Sequence, residues 1–184
     1  MGRLIVSEFL SLDGVMDTPA WTAPYWNDEI AAFKASETAT TGALLQGRVT
    51  YDGMAAAWPA RGDEDPGAAL INSLPKYVVS TTLAEATWNN STIIRENVAQ
   101  AVQALKDQYS ADILVYGSGE LSRFLLVNGL VNGLNLLVYP VVLGQGKRFF
   151  GDQAGPPLTL TASRAFASGV VLLQYQLPDT AQQH

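Results

Sequence analysis

The chain has 184 residues, a formal net charge of −6 and no cysteine; 48% of its residues are apolar and 15% are charged. This composition excludes a disordered chain, and the length predicts one domain spanning residues 1–184. The acidic balance argues against nucleic acid or an anionic membrane as a partner. Without cysteine there is no disulfide, thiolate nucleophile or cysteine zinc site, and the single histidine, His184, is the last residue.

The sequence contains no pattern typical of export or of a membrane span. Residues 1–6 do not begin a long apolar segment with a small-residue cleavage site. No apolar run reaches the roughly eighteen residues that a membrane helix needs. We therefore expect a cytoplasmic protein without a membrane partner.

Apolar periodicity predicts strands that alternate with helices. In chain order we predict strand 4–9, helix 27–40, strand 43–46, helix 48–57, strands 76–80 and 92–94, helix 97–109, strand 113–116, a helix that follows Gly119, and strands 135–143, 158–161 and 169–177. The polar residues 60–67 are predicted to form an exposed loop. This order predicts an α/β fold, with a mainly parallel sheet, helices on both of its faces and an antiparallel edge at the C-terminus.

Two junctions place glycine between a predicted buried strand and a predicted helix. They are Gly47-Arg48-Val49-Thr50 and Gly117-Ser118-Gly119-Glu120-Leu121. In an open α/β sheet, ligands collect at the carboxyl ends of strands, where helix N-termini offer unpaired N–H groups to an anion. Glycine lets a phosphate approach the backbone, and the Arg48 guanidinium can bind two phosphate oxygens at once. Both junctions therefore predict phosphate binding, with a tight turn and a solvated arginine as the structural alternatives.

A third group of polar residues, Ser80-Thr81-Thr82, follows the strand predicted at 76–80. Three short hydroxyl side chains suit a ribose or its phosphate, although a capped strand end gives the same pattern. The carboxyl ends of parallel strands share one edge of a sheet, so we expect these hydroxyls to lie near both glycine junctions.

Four motifs then occur in order: Ser11-Leu12-Asp13-Gly14, residues 45–51 (LQGRVTY), residues 115–119 (VYGSG) and residues 140–146 (PVVLGQG). Together they resemble the dihydrofolate-reductase-like superfamily, and within it the branch that includes the reductase domain of riboflavin-biosynthesis deaminase-reductases. The resemblance covers residues 3 to about 177. It implies an eight-stranded sheet and bound NADPH.

The same resemblance implies where the cofactor binds. Arg48 and Thr50 are expected at its phosphates, Ser80 and Thr81 near the phosphate of the adenosine ribose, and residues 117–120 around the pyrophosphate. The predicted cofactor site is completed by the junction residues Gly47, Val49, Thr82 and Leu121. No metal site is predicted.

Two acids are candidates for the proton donor or substrate anchor. Dihydrofolate reductases carry an acid on the first helix four residues before a phenylalanine, and Glu29 precedes Phe33 by four. Asp13 is the acid of the first motif. Each has a structural alternative, because an acid in the first turn of a helix complements its dipole, and Asp before Gly is a common turn residue.

The expected function is NADPH-dependent reduction of a small pterin-like, pyrimidine-like or carbonyl substrate. It resembles the activities of 5-amino-6-(5-phosphoribosylamino)uracil reductase and dihydrofolate reductase. The lysine that riboflavin reductases carry six residues before Asp13 is replaced by Ser7, so the substrate stays open. An aromatic wall of Trp21, Tyr25, Trp26 and Phe33 is a candidate cover for a flat heterocycle. The alternative function is nucleotide binding without turnover.

The apolar run 134–143 and the alternating tail at 169–177 predict a sheet surface that an acidic monomer would expose. A second copy of the chain would cover that surface. We therefore expect a homodimer, which the riboflavin-branch resemblance also implies.

Overall fold

The computed structural model describes residues 1–62, 64–151 and 155–178, so His184 lies outside the described residues. The strands are β1 (Leu4–Leu10), β2 (Thr41–Gly47), β3 (Lys76–Val79), β4 (Ser91–Ile94), β5 (Asp112–Tyr116), β6 (Gly133–Val138), β7 (Thr159–Ala165) and β8 (Val171–Gln176). The α-helices are α1 (Asp28–Ala39), α2 (Arg48–Ala57), α3 (Pro66–Ser73), α4 (Val98–Gln108) and α5 (Gly119–Val127). Short 3-10 helices cover Pro19–Tyr25 and Pro59–Arg61.

The strands form one eight-stranded sheet in the order β4-β3-β2-β5-β1-β6-β8-β7. Every pair from β4 to β6 is parallel, whereas β8 pairs antiparallel with β6 and β7 pairs antiparallel with β8. This confirms the predicted fold class, a mainly parallel sheet with an antiparallel C-terminal edge.

The central strand β1 explains why helices cover both faces of the sheet. Leu4, Val6 and Leu10 point to one face and join the core made with α4 and α5. Ile5 and Phe9 point to the other face, which α1, α2 and α3 cover. A strand buried on both faces is apolar along its whole length, and β1 has this pattern except at Ser7 and Glu8.

Three elements differ clearly from the prediction. β7 runs to Ala165, four residues beyond the predicted end at 161. The strand predicted at 135–143 ends at Val138 because Pro140 has no N–H for the ladder; the amide of Val141 instead donates to the carbonyl of Tyr139 at 2.8 Å. The loop predicted at 60–67 gives way to α3 at Pro66. Asp65 caps that helix, accepting bonds from the amides of Gly67 and Ala68 at 2.9 and 3.2 Å.

Among the described residues, no helix is both long and apolar enough to cross a membrane.

The cap of α3 generates a stability prediction. Replacing Asp65 with Ala leaves two amides of the first turn without their acceptor, so we expect Asp65→Ala to lower the free energy of unfolding by about 1 kcal/mol in urea titrations. The neighbouring exposed residue Glu64 provides the control, and Glu64→Ala should change the same quantity by less than about 0.5 kcal/mol. Equal effects of the two variants would contradict a capping role for Asp65.

Candidate functional site

Two helix N-termini meet at one edge of the sheet. Because β2 and β5 are parallel neighbours, their carboxyl ends lie side by side. Helix α2 begins directly after Gly47, and α5 begins directly after Ser118. Neither N-cap residue makes a side-chain cap bond to its own helix, so the first-turn N–H groups of both helices stay open toward this edge. Their dipoles favour an anion there.

Ser118 holds the two junctions together. Its Oγ accepts a hydrogen bond from the amide of Gly47 at 3.0 Å and donates to the carbonyl of Tyr116 at 3.1 Å. Gly117 and Ser118 both have left-handed backbone conformations, with φ of 57° and 59°. A Cβ on Gly117 would lie 3.4 Å from Thr50 Oγ1, so the bare backbone at 117 faces the first turn of α2. We call residues 47, 48, 50 and 117–119 the cradle.

Arg48 links the cradle to the turn that follows β3. Its Nη1 donates to Thr82 Oγ1 at 2.8 Å, while its Nε lies 3.4 Å from Asp52 Oδ2. Ser80 shapes this turn, because its Oγ accepts bonds from the amides of Thr82 and Leu83 at 3.2 and 2.9 Å. The structure thus brings the three hydroxyl residues 80–82 beside the cradle. Thr81 and Thr82 are exposed, and the Arg48 side chain is half-exposed.

The other residues of the predicted cofactor site have different surroundings. Val49 is exposed on the first turn of α2, and the exposed carboxylate of Glu120 lies 3.9 Å from Lys147 Nζ. Leu121 is buried in the core beneath α5. Gly119 lies against Met16, whose sulfur occupies the position that a Cβ would need. The loop after β1 therefore covers the start of α5.

Asp13 joins two loops. Its carboxylate accepts hydrogen bonds from Ser11 Oγ at 2.6 Å and from the amides of Leu143 and Gly144 at 3.1 and 2.8 Å. The Ser11 hydroxyl, with these two amides, lowers the pKa of Asp13 to about 2. An ionised carboxylate with this pKa is a poor proton donor at neutral pH. These contacts favour the turn role among the two that the sequence left open.

Glu29, at the start of α1, contacts the β7–β8 hairpin and makes no hydrogen bond to a cradle residue. Its carboxylate accepts bonds from the amide of Ala167 at 2.7 Å and from Arg164 Nη2 at 3.0 Å, so it ties α1 to the β7–β8 hairpin. These two bonds lower the pKa of Glu29. The spacing to Phe33 is therefore compatible with a structural acid, and its predicted catalytic role stays a prediction.

The predicted aromatic wall is mainly a small core. Trp21 and Tyr25 pack edge-on against the buried ring of Tyr139, with centroid distances of 5.4 and 5.9 Å. Phe33 packs partly buried against the same cluster. Trp26 is 48% exposed and contacts the edge of Phe9. Of the four aromatic residues, Trp26 keeps the most surface for a ligand.

A polar cluster that the sequence analysis missed lies where β1 separates from β5. Glu8 is buried, and its Oε1 accepts a bond from the amide of Phe9 at 3.0 Å. Lys34 of α1 donates to Ser7 Oγ at 2.8 Å, pairs with Glu37, and lies over the Tyr116 ring at 4.1 Å. The available clue was a charged residue inside the apolar strand sequence LIVSEFL, since a buried acid needs a partner or a function.

The opposite end of the sheet carries an open groove of about 750 Å³. It is lined by the starts of β1, β5 and β6 together with α1 and β8, and includes Arg3, Glu37, Asp112 and Gln174. No cradle residue lines this groove. It is therefore a separate feature from the candidate cofactor site.

Comparison with known proteins agrees with this geometry. A family model described as the RibD C-terminal domain matches residues 3–172. The uncharacterized protein YyaP of Bacillus subtilis (strain 168) is 35% identical over 136 residues, which make up 72% of this chain and 72% of YyaP.

Solved structures share the fold at low sequence identity. A Shewanella sp. PV-4 protein described as a riboflavin biosynthesis protein superposes with a TM-score of 0.77 at 18% identity, over 96% of this chain and 99% of that chain. RibD of Acinetobacter baumannii superposes with a TM-score of 0.70 at 16% identity, over 97% of this chain and 58% of that chain. The dihydrofolate-reductase-like resemblance is thus confirmed for the fold, and the chain belongs to the RibD C-terminal domain family.

Proposed function

We propose that this protein is an NADPH-dependent reductase of a small heterocyclic or carbonyl substrate. The observation that carries the proposal is the cradle, where two N-termini without side-chain caps lie side by side with Arg48 next to them. Family membership and the fold of riboflavin-pathway reductases support the same assignment. A cytoplasmic location fits it, because that compartment supplies NADPH.

The residues of the cradle fit a dinucleotide phosphate. The bare backbone at Gly117, facing Thr50, leaves room that a side chain would fill. The first-turn N–H groups of α2 and α5 would donate to the pyrophosphate, and Thr50 would add a hydroxyl. Arg48, held against Thr82, would bind the 2′-phosphate that distinguishes NADPH from NADH. When bound, the cofactor supplies a hydride.

The substrate would occupy the region between the cradle and α1. Ser7 stands where riboflavin reductases carry lysine, so this chain lacks that positive substrate contact. Lys34 of α1 donates a hydrogen bond to Ser7 Oγ, so its ammonium group lies next to the position of the missing lysine. We therefore propose a pyrimidine- or pterin-like substrate, tested by NADPH oxidation at 340 nm with dihydrofolate and with 5-amino-6-(5-phosphoribosylamino)uracil. NADPH binding without oxidation of either would favour the nucleotide-binding alternative.

Arg48 should determine cofactor preference. A lost charge-assisted contact to phosphate costs about 1.5–3 kcal/mol, so we expect Arg48→Ala to weaken NADPH binding by roughly 10- to 100-fold and NADH binding by much less. Tryptophan fluorescence titration with each cofactor measures both constants. Arg61, which stacks on Trp58 beyond the other end of α2, provides the control variant Arg61→Ala, and its affinities should match the wild type. An equal loss for both cofactors in Arg48→Ala would refute a role in reading the 2′-phosphate.

A substitution at Gly117 tests whether the cradle binds the cofactor. We expect Gly117→Val to lower the affinity for NADPH and NADH alike by more than tenfold, because its side chain would fill the phosphate's approach beside Thr50. Gly62→Val is the matched control: it also places valine at a positive φ, of 72°, but its Cβ would meet nothing within 4 Å. Both variants should lose stability, and Gly62→Val should keep wild-type affinity. Unchanged binding by a folded Gly117→Val protein would remove this loop from the site.

We also propose a homodimer, although the surface differs from the one that the sequence suggested. Residues 134–138 lie inside the sheet between β1 and β8, so they are not available to a partner. The sheet has two edge strands, β4 and β7, and we assign the contact to β7 because its seven residues are all exposed. An exposed edge strand presents unpaired N–H and C=O groups that pairing with a second copy would satisfy.

Light scattering at micromolar concentration should therefore give twice the mass of one chain. Leu160 is 51% exposed on β7, and Leu160→Lys should shift the equilibrium toward monomer by adding a charge to the edge. Leu158→Lys, just outside the strand, is the matched control and should shift it less. A monomeric wild-type protein would contradict the proposed dimer.

A further inference from the structure

The pairing of β1 with β5 ends at Ser7 and Tyr116, where β5 itself ends, whereas β1 runs on to Leu10. The last bond between them runs from the amide of Gly117 to the carbonyl of Ser7 at 3.2 Å. β1 continues to Leu10, where it pairs with β6 alone. An opening therefore separates β1 from the start of the 117–119 loop, next to the cradle.

The carboxyl group of Glu8 lies in this opening. Along a strand, the N–H and C=O groups of alternate residues face the same side. Phe9 is two residues beyond Ser7, so its amide faces the side on which Ser7 binds Gly117. That amide donates to Glu8 Oε1 at 3.0 Å. Glu8 thus occupies the place where β5 would otherwise continue.

The second carboxyl oxygen of Glu8 has no protein partner. Glu8 is 6% exposed, and its Oε2 is buried without a hydrogen bond. A buried polar atom without a partner costs free energy, and ionising the carboxyl there would cost more. Burial accordingly raises the pKa of Glu8 to about 8, although the Phe9 amide and the charge of Lys34 partly oppose the shift.

Three other acids differ from Glu8, because both of their carboxyl oxygens have a partner. Glu37 pairs with Lys34 through one oxygen and accepts from Asn135 through the other. Asp13 and Glu29 accept backbone and side-chain bonds, and both have lowered pKa values. Among Glu8, Asp13 and Glu29, Glu8 is the acid whose pKa is raised, because its carboxyl group is buried with one oxygen unpartnered.

We propose that Glu8, and not Asp13 or Glu29, is the proton donor of the reduction. This inference rests on the proposed reductase function. As hydride adds to the carbon of a C=N or C=O group, the electron pair of the π bond moves to nitrogen or oxygen. That atom takes the proton of Glu8, and the resulting carboxylate regains a proton from water after the product leaves.

Lys34 acts on the reaction indirectly, through the effect of its charge on Glu8. It is the charged group that acts on Glu8, and it also contacts Glu37 on its own helix and the Tyr116 ring of β5. Glu120, at the start of α5, has an exposed side chain. The positive charge of Lys34 stabilises the carboxylate that forms when the proton is transferred, so it limits the barrier without supplying the proton itself.

Glu8→Gln is the main variant, because it keeps the shape of the side chain and removes the acidic proton. The exposed residue Glu96 gives the control Glu96→Gln. Titration of ¹³C-labelled protein without cofactor should show one glutamate carboxyl with a pKa near 8 that is absent in Glu8→Gln and present in Glu96→Gln. Tryptophan fluorescence should show NADPH affinity within about twofold of the wild type for both variants.

Measurements of kcat and of its pH dependence test the donor role of Glu8 directly. With dihydrofolate or 5-amino-6-(5-phosphoribosylamino)uracil as the probe, we expect Glu8→Gln to lower kcat by roughly a hundredfold or more, the usual scale for a general acid. The wild-type rate should fall as pH rises through the pKa of Glu8, because the protonated form is the active one. The residual rate of Glu8→Gln should be flat over that range. Lys34→Met should move the falling limb to higher pH, because removing the positive charge raises the pKa of Glu8 further.

The outcomes distinguish the two levels of the proposal. A wild-type protein that does not bind NADPH overturns the reductase function itself. A wild-type protein that binds NADPH but reduces neither probe overturns the donor role, as does wild-type turnover in Glu8→Gln. The titration and the pH profile of the unmodified protein need no variant. A wild-type titration in which every glutamate carboxyl is already ionised at pH 6 therefore also overturns the proposal, even where Glu8→Gln fails to fold.

Discussion

The hydrogen bond from Gly117 to Ser7 is the constraint on which the candidate site depends. It is the last contact between β1 and β5, and it fixes where the sheet opens. On one side of it, the left-handed backbone at 117 and 118 turns the chain into α5 and leaves N–H groups free for an anion. On the other side, β1 continues with β6 as its single partner strand and places Glu8 in the opening. The cradle and the buried acid are therefore two consequences of β5 ending before β1.

The loops around this opening are held by a second set of contacts. Asp13 accepts amide bonds from residues 143 and 144, while the amide of Met16 donates to the carbonyl of Lys147 at 2.9 Å. These bonds explain why the motifs SLDG and PVVLGQG occur together, since one supplies the carboxylate and the other the N–H groups. They also position Met16 against Gly119. The acid of the first motif thus shapes the site from a distance.

Much of the fold could be predicted from apolar periodicity, because strands and helices here bury continuous faces. Helix α1 illustrates this: the helix predicted at 27–40 is observed at Asp28–Ala39, and the Oδ1 of Asn27 caps it by accepting from the amide of Ile30 at 3.0 Å. The start of α3 was missed because Asp65-Pro66 looks like a turn until the apolar residues after it are seen to be buried. Glu29 shows which contacts could not be predicted from the sequence. Spacing placed it one turn before Phe33, but its partners come from a hairpin about 135 residues away, and sequence carries no information on that contact.

Buried charges elsewhere in the protein are stabilised by close partners. The ammonium of Lys76 donates to the carbonyls of Asn72, Leu74 and Asn89, at 2.7, 2.8 and 3.2 Å, and Lys106 donates to the carbonyl of Leu130 at 3.0 Å. Such groups close the ends of helices and strands, so they contribute to the fold. Glu8 differs from these lysines. One of its carboxyl oxygens accepts a bond from the amide of Phe9, and the other has no partner. A leucine at this position would satisfy the core better than a carboxyl. The proposed donor role accounts for an acid at this position, because a carboxyl group held protonated beside the cradle can give its proton to a bound substrate.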